Sequence, residues 1–152
     1  MRVGIATDHG GFELKEELAA YLREAGHDVV DMGAHKLTPG DDYPDFVIPL
    51  AQAVAAGNVD RGIAVCGSGV GASVCANKIP GIRAGLVQDH YSAHQGVEHD
   101  DMNILCMGGR VVGPVVAQEL ADAFLAARFT QEERHVRRLR KVALLETQPI
   151  HQ

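Results

Sequence analysis

Short apolar runs alternate with segments of helical periodicity along the whole chain. The runs are continuous rather than alternately polar and apolar, which is typical of parallel strands buried on both faces of a sheet. They predict five strands, at residues 2–7, 27–32, 62–66, 83–87 and 104–107.

Segments with apolar residues at helical spacing lie between these strands. Leu14, Leu18 and Leu22 fall on one face of a first helix, and Gly26 supplies a suitable C-terminal cap. A second helix is predicted after Pro44, because proline is favoured at the first helical position. Such segments are the crossover helices that parallel strands require.

Proline and capping residues mark the other helix boundaries. We expect Pro49 to bend or shorten the second helix, because it lacks a backbone N–H and its ring crowds the preceding turn. Another apolar helix face follows Pro114. Thr130 and Glu133 have the spacing of a capping box, which predicts a final helix extending to about Leu145.

Five strand–helix units in one chain predict an α/β fold. Since parallel strands are joined by right-handed crossovers, we expect a single-domain, doubly wound, five-stranded parallel sheet. The arrangement is Rossmann-like, with three α/β/α layers and an extra C-terminal helix. The predicted domain covers residues 1–146, and residues 147–152 are predicted to be a flexible tail.

Composition narrows the class of protein. The chain has 152 residues, 46% hydrophobic and 22% charged, which suffices for one full core. It has no leader-like start and no apolar segment of membrane-spanning length, so we expect a cytoplasmic protein without a membrane partner. The net charge of −6 argues against nucleic-acid binding. Three cysteines without metal-ligand spacing predict reduced thiols rather than disulfides or a zinc site.

Polar residues follow several of the predicted strands at the point where each strand ends. Ligands of doubly wound folds bind at the carboxyl ends of the strands. This edge is predicted to gather a carboxylate, an imidazole, a thiol, glycine amides and a guanidinium. They come from Asp8-His9-Gly10-Gly11, Cys66-Gly67-Ser68-Gly69-Val70-Gly71, Asp89-His90 and Gly108-Gly109-Arg110.

Cys66 closes the third predicted strand and is followed by a glycine-rich turn. Glycine allows a backbone to approach a ligand closely, and a helix start after the turn favours a thiolate over a thiol. Such a sulfur can be a base or a nucleophile. The alternative interpretation is a small core cysteine beside a tight turn, which the pattern leaves open.

Other chemistries fit this edge less well. Gly67, Gly69 and Ala72 formally match a dinucleotide-binding fingerprint with Asp89 as the ribose-binding acid, which would indicate an NAD-dependent oxidoreductase. A cysteine phosphatase would close its phosphate loop with an arginine where this chain has Ala72. A hydrolase triad built on Cys66 stays open.

Several longer motifs occur in order along residues 1–145. They include Asp8-His9-Gly10-Gly11-Phe12, Asp42-Tyr43-Pro44, Cys66-Gly67-Ser68-Gly69-Val70-Gly71, His99-Asp100-Asp101-Met102-Asn103 and Gly109-Arg110-Val111-Val112-Gly113. Together these motifs resemble the ribose-5-phosphate isomerase B family, which also includes the paired-subunit galactose-6-phosphate isomerases. The resemblance implies aldose–ketose isomerisation of a phosphorylated sugar through an enediolate.

The resemblance also implies roles for the residues of the glycine-rich turn. Cys66 would be the base that moves a proton between C2 and C1, and Ser68 would hydrogen-bond near the reacting oxygens. The enediolate charge would be stabilised by the backbone amides of Gly67, Gly69 and Gly71. No metal and no cofactor are implied.

The remaining site residues follow from the same resemblance. His99 would open the furanose ring, since an imidazole both donates and accepts protons near neutral pH. The implied sugar and phosphate contacts are Asp8, His9, Tyr43, Asp100, Arg110, Arg134 and Arg138. Arg134 and Arg138 lie four residues apart, on one helical face, where two guanidiniums can converge on one phosphate.

The basic final helix is expected to act between subunits. It also carries Val136, Leu139, Val142 and Leu145, which suggests packing beyond its own sheet. In the resembled family this helix crosses to the neighbouring subunit, so we expect a homodimer or a dimer of dimers.

Substrate choice is the least determined property. Many relatives have asparagine where this chain has Asp100, which removes an amide donor and adds negative charge near the sugar. Ribose 5-phosphate is the substrate most directly implied, with a tetrose or hexose phosphate as the alternative. A non-catalytic sugar-phosphate-binding domain would have no need of both Cys66 and His99.

Overall fold

The computed structural model describes residues 1–147, which form one parallel sheet with helices on both faces. The strands are β1 (Arg2–Thr7), β2 (Asp28–Asp31), β3 (Arg61–Cys66), β4 (Ala84–Leu86) and β5 (Ile104–Gly108). The helices are α1 (Phe12–Glu24), α2 (Pro44–Ala55), α3 (Val70–Ala76), α4 (His90–Asp100), α5 (Pro114–Ala126) and α6 (Glu133–Thr147). The predicted tail at 147–152 lies outside the described residues except for Thr147, which ends α6.

The strand order is β2-β1-β3-β5-β4, and every pairing is parallel. After β1 and β2 the chain returns to the other side of β1, so the order reverses between β1 and β3. Ligands of open α/β sheets bind at such a switch point, beside the carboxyl ends of the strands. Thr7 is paired with Val65 and Cys66 with Gly108, so β1, β3 and β5 end together at this edge.

Hydrophobic cores cover both faces of the sheet. Ile63 and Val65 of β3 pack in the core formed with α1, α4 and α5, whereas Ala64 and Cys66 pack in the core formed with α2 and α3. Because successive side chains of a strand point to opposite faces, a buried parallel strand must be apolar throughout. The three-layer, doubly wound fold predicted from the apolar runs is confirmed.

The predicted element ends need three corrections. The strands β2 and β4 are shorter than predicted. Of the two effects predicted for Pro49, bending or shortening of helix α2, shortening is wrong, because α2 continues to Ala55. The capping box is wrong, because Glu132 rather than Thr130 precedes the first helical residue and the Glu133 carboxylate accepts from Arg137, 2.5 Å away.

A buried ion pair ties the first helix to the end of β2. Lys15 is fully buried, and its Nζ lies 2.8 Å from Asp31 Oδ2 and 2.5 Å from Glu16 Oε1. The other oxygen of Asp31 accepts the Gly33 N–H at 2.9 Å. Gly33 O in turn accepts the Thr7 N–H at 2.7 Å, which holds the loop after β2 against the end of β1.

Within the described residues, no helix combines the length and hydrophobicity needed to cross a bilayer.

Candidate active site

The loops after β1, β3 and β5 meet around a cavity of about 410 Å³ at the switch point. We call it the cysteine pocket, and its polar lining includes Asp8, Tyr43, Cys66, Ser68 and Arg110. Of the groups predicted at this edge, the pocket brings together the thiol, a carboxylate, the glycines of the turn and a guanidinium, and it adds the Tyr43 phenol and the Ser68 hydroxyl; no imidazole of the described residues lines it.

Cys66 ends β3 with its side chain almost fully buried. The Gly69 N–H donates to Cys66 Sγ at 3.1 Å. A backbone N–H that donates to sulfur favours the thiolate, because it stabilises the charged form. This amide therefore supports the thiol, which differs from its predicted role at the enediolate oxygens.

Gly69 is required by its backbone conformation and by its neighbours. Its φ is +82°, in the left-handed region that favours glycine. A Cβ at this position would lie 2.8 Å from the backbone carbon of Met107 and 2.6 Å from Leu86 Cδ1. The turn that aims an amide at Cys66 is therefore available only to glycine.

The other members of the turn shape the pocket. Ser68 is exposed, and its Oγ accepts the Val70 N–H at 3.3 Å. Gly71 lies beneath the Tyr43 ring, where a Cβ would come within 2.8 Å of Tyr43 Cζ. Gly67 faces Arg110, whose backbone N–H donates to Gly67 O at 3.1 Å. The absence of a side chain at Gly71 leaves room for the Tyr43 ring, whereas a Cβ at Gly67 would meet the Arg110 guanidinium only at an ordinary contact distance of 3.5 Å.

The pocket wall from the β1 loop is acidic and tightly bonded. Asp8 is 6% exposed and its Oδ1 accepts the Gly10 N–H at 2.8 Å. His9 is bonded to Asp41, whose Oδ1 lies 2.8 Å from both the backbone nitrogen and the Nδ1 of His9. The pKa of His9 is raised, chiefly by the hydrogen bond to Asp41 and also by the charges of Asp8 and Asp41, against a lowering by burial.

Ligand atoms of Asp8, His9 and Asp41 lie within 4.8 Å of one another. However, Asp8 Oδ1 is bonded to a backbone N–H, and His9 Nδ1 and Asp41 Oδ1 are bonded to each other. These partners describe a carboxylate–imidazole pair beside a capped turn.

A second polar cluster forms where α4 ends and α6 begins, and we call it the histidine cluster. The rings of His99 and His135 stack with centroids 4.1 Å apart. His135 is buried, and its Nδ1 lies 2.7 Å from Thr130 Oγ1. The pKa of His135 is lowered, first by burial and then by the nearby His99, Arg134 and Arg138, against a raising by Glu132.

His99 is oriented by its own helix. Gln95 Nε2 lies 2.9 Å from His99 Nδ1, one turn away on α4. The contact holds Nδ1 in place whichever tautomer the imidazole adopts. The half-buried imidazole therefore has one nitrogen held in place and one available for proton transfer.

Within one chain, the cysteine pocket lies at the carboxyl ends of the strands and the histidine cluster lies toward their amino ends. Helix α4 starts after the carboxyl end of β4 and runs back, so His99 lies just before β5 begins at Ile104. Cys66 is in register with Gly108, which lies at the other end of β5 from Ile104. The strand between Ile104 and Gly108 is about 13 Å long at a rise of roughly 3.3 Å per residue. The structure therefore does not bring His99, Arg134 and Arg138 to the cysteine pocket of their own chain.

Three other residues of the sequence motifs have clear positions. Asp100 is exposed at the end of α4. Asn103 tethers the loop, since its Oδ1 accepts the Arg83 N–H at 2.8 Å and its Nδ2 donates to Gly81 O at 2.9 Å. Asp89 caps α4 by accepting the Ser92 N–H at 2.8 Å, so its carboxylate has a structural role rather than that of a ribose-binding acid.

Sequence patterns did not indicate Asp41, Gln95, Thr130 or His135 as site residues. His135 falls between Arg134 and Arg138, and its position in the basic run was the available signal. Asp41 contacts His9 from a distant loop, and no local spacing predicts such a contact.

Residues 3–142 match the family model described as Ribose/Galactose Isomerase. The chain belongs to the Ribose/Galactose Isomerase family. It is 41% identical over 145 residues to ribose-5-phosphate isomerase B of Escherichia coli (strain K12), a match that covers 95% of this chain and 96% of the relative.

Solved structures agree with this assignment. Ribose-5-phosphate isomerase B from Clostridium thermocellum matches with a TM-score of 0.93 at 45% identity, covering 97% of this chain and 98% of that one. The Mycoplasma genitalium ribose-5-phosphate isomerase B with bound ribulose-5-phosphate matches with a TM-score of 0.92 at 36% identity, covering 97% of both chains. The protein is thus an aldose–ketose isomerase of a phosphorylated sugar, and the oxidoreductase and non-catalytic alternatives are wrong.

Proposed function

We propose that the protein interconverts ribose 5-phosphate and ribulose 5-phosphate, with Cys66 as the base. The observation that carries this assignment is the Cys66 thiol, held by the Gly69 amide in a pocket that also presents Asp8, Ser68 and Arg110. The names of the Escherichia coli and Clostridium thermocellum relatives and the ribulose-5-phosphate bound to the Mycoplasma genitalium relative support this substrate.

The proton transfers balance without a redox partner. The Cys66 thiolate removes the proton from C2 of the open-chain aldose, and the electron pair moves toward O1 to form the enediolate. The Cys66 thiol then returns a proton to C1, while the hydroxyl proton moves from O2 to O1. Ser68 Oγ is the side-chain hydroxyl of the pocket that assists this exchange, and general acid–base steps of this kind contribute about 10²–10⁴-fold.

The furanose ring must open before C2 can be deprotonated. We assign this step to His99: the neutral imidazole takes the proton of the anomeric hydroxyl, and the resulting imidazolium gives a proton to the ring oxygen as the bond between that oxygen and C1 breaks. The contact between Gln95 and Nδ1 supports the assignment, because it orients the ring and leaves Nε2 for proton transfer.

The substrate phosphate must be bound by cationic side chains that lie away from Cys66. These are Arg110, which lines the cysteine pocket, and His9, which follows the pocket residue Asp8; in the histidine cluster they are Arg134 and Arg138. Arginine suits this role because its planar guanidinium binds phosphate oxygens in pairs.

The active unit is therefore a dimer in which the histidine cluster of one chain completes the cysteine pocket of another. The separation of the two clusters within a chain supports this arrangement. A second support is α6, which is docked through buried His135 but exposes Val142, Leu144 and Leu145 further along. Val142 and Leu145 line a cavity of about 660 Å³ beside the edge strand β4, and a second copy of this chain is its proposed occupant.

The substrate is tested by incubating the purified protein with aldose phosphates of four, five and six carbons in deuterated water. NMR follows ketose formation and deuterium incorporation at the transferred position. Ribose 5-phosphate is expected to give the highest kcat/KM. Preference for a hexose phosphate would instead indicate that Asp100 contacts the hydroxyl groups of a longer sugar. A carboxylate only accepts hydrogen bonds from hydroxyl groups, whereas an amide would also donate them.

A further inference from the structure

Asp41 approaches His9 from the loop between β2 and α2. Its Oδ1 atom lies 2.8 Å from the His9 backbone nitrogen and 2.8 Å from His9 Nδ1. One carboxylate oxygen thus holds both the backbone and the ring of the same residue. Rotation of the His9 ring would break the second bond, so the ring has a defined orientation.

The Asp41 carboxylate is poorly explained as a stabilising group. Its side chain is 12% exposed, and its Oδ2 atom is buried without a hydrogen-bond partner among the described residues. A buried oxygen without a partner reduces stability, because the lost hydration is not replaced. The interaction that this buried carboxylate does make is its contact with His9.

We propose that Asp41 is a positioning residue, which fixes the His9 ring and keeps it cationic so that Nε2–H is the donor to the substrate phosphate. This inference rests on the proposed function of the cysteine pocket, in which His9 binds phosphate. With Nδ1 bonded to Asp41, Nε2 is the free ring nitrogen of His9.

The charges around His9 agree with this role. The carboxylates of Asp41 and Asp8 both favour the imidazolium, and the hydrogen bond to Asp41 is the main reason that the pKa of His9 is raised. The other titratable groups of the adjoining pocket are Tyr43, Cys66 and Arg110. Because the pKa is raised, His9 keeps its charge to a higher pH than an unpaired histidine.

The test compares Asp41→Asn with Asp45→Asn, an exposed carboxylate four residues later that serves as the matched control. Asparagine can still accept one hydrogen bond at its side-chain oxygen, but it carries no charge. Ring NMR signals of His9 report its tautomer and its titration in each variant. Sulfate, which stays a dianion across the pH range, serves as the binding probe.

In Asp41→Asn we expect the His9 titration to move to lower pH, and sulfate binding to weaken about tenfold near pH 8, the loss of one charge-assisted hydrogen bond. The loss should shrink near pH 5.5, where His9 is protonated in both proteins. The KM for ribose 5-phosphate should rise about as much while kcat changes little. In a His9→Ala background Asp41→Asn should have almost no further effect, because residues that act through one group are not additive.

Unchanged His9 titration, or an equal loss of sulfate affinity with and without His9, would overturn the positioning role even if the enzyme turns over ribose 5-phosphate normally. The proposed function fails separately, through absence of turnover by the wild-type protein. Far-UV circular dichroism of Asp41→Asn and Asp45→Asn shows whether either variant is misfolded. If Asp41→Asn is misfolded, Asp41→Ser, which also removes the charge, is measured in its place.

Discussion

At the scale of single residues, the three cysteines differ in their surroundings although all are free thiols. Burial raises the pKa of the Cys75 thiol, and it raises the pKa of Cys106 much further. Cys66 alone among them accepts a backbone N–H in the described structure. Cys66 is thus the thiol that combines a backbone N–H contact with a place in the cysteine pocket.

Cys66→Ser is expected to lower the rate of C2 proton exchange by at least about a hundredfold, because a serine hydroxyl is too weak an acid to replace the thiol as a base. The measurement is deuterium incorporation at the substrate carbon by NMR. Cys75→Ser, half-buried outside the pocket, is the control and should retain near wild-type exchange. Near-normal exchange in Cys66→Ser would remove this residue from the mechanism.

His99→Ala is expected to slow turnover of ribose 5-phosphate by about a hundredfold, the size of one acid–base contribution. A four-carbon aldose phosphate, which cannot close a furanose ring through its phosphorylated carbon, should be affected much less. Steady-state kinetics on both substrates measure the difference. Equal losses on the two substrates would assign His99 to binding or enolisation instead.

At the scale of secondary-structure elements, the Lys15–Asp31 pair connects α1 to the end of β2. Burial acts to raise the pKa of Asp31, but the hydrogen bonds from Lys15 and Gly33 outweigh it and hold the pKa below its usual value. A charged lysine without its buried partner is strongly unfavourable, whereas the intact pair contributes little net stability. The pair therefore matters mainly when one partner is lost.

Asp31→Asn is expected to reduce the free energy of unfolding by about 2 kcal/mol at pH 7, less than for a lone buried charge because Glu16 still contacts Lys15. Urea unfolding measures the change. Asp28→Asn, whose carboxylate is largely exposed, is the control and should change stability by no more than about 0.5 kcal/mol. A similar loss in both variants would contradict a special role for the buried pair.

The same pair predicts a pH dependence. Since the pKa of Asp31 is lowered in the folded state, its contribution is fully present above the unfolded carboxyl pKa of about 4 and is lost as the pH falls below it. Wild type should therefore lose its advantage over Asp31→Asn between about pH 4 and pH 2. If the difference in the free energy of unfolding between wild type and Asp31→Asn stayed constant across this range, packing rather than charge would be its cause.

At the scale of the whole molecule, the connectivity of the sheet separates the proposed base, Cys66, from the proposed ring opener, His99. Cys66 ends β3 at the carboxyl edge, and His99 precedes β5 at the amino edge. Helix α6 adds Arg134 and Arg138 to the His99 side. A single chain thus carries two halves of the proposed site.

Mixing inactive Cys66→Ala subunits with inactive His99→Ala subunits is expected to restore activity after subunit exchange. In each mixed dimer one site would combine both defects and the other would be wild type, so activity per mixed dimer should approach half. The same recovery is expected when Arg134→Ala/Arg138→Ala replaces His99→Ala.

Mixing His99→Ala with Arg134→Ala/Arg138→Ala subunits is the matched control. Both changes lie in the histidine cluster, so neither site of the mixed dimer would be intact and little activity should return. Sedimentation and mass spectrometry establish that subunits exchange. If exchange occurs and Cys66→Ala with His99→Ala stays inactive, the two halves of the site do not act between chains.

Local sequence patterns predicted much of the fold. The strand boundaries at Arg2, Thr7 and Ile104 agree with the apolar runs, because a strand buried on both faces must be apolar throughout. The capping box at Thr130 was wrong because α6 begins at Glu133 and the Thr130 hydroxyl lies 2.7 Å from His135 Nδ1. The Thr130 N–H donates to Glu98 O of α4 at 3.0 Å, so this segment is fixed by its docking on α4. End positions set by such docking are not encoded in the spacing of a short motif.

The sequence by itself determined the layered α/β fold, the family and the turn from Cys66 to Gly69, because each depends on residues that are neighbours along the chain or on a repeated hydrophobic pattern. Only the tertiary structure decided that Asp41 meets His9 and that His99 lies across the sheet from Cys66. Those relations depend on strand order and on the direction in which each helix returns. The same motifs, threaded through a different strand order, would face different partners.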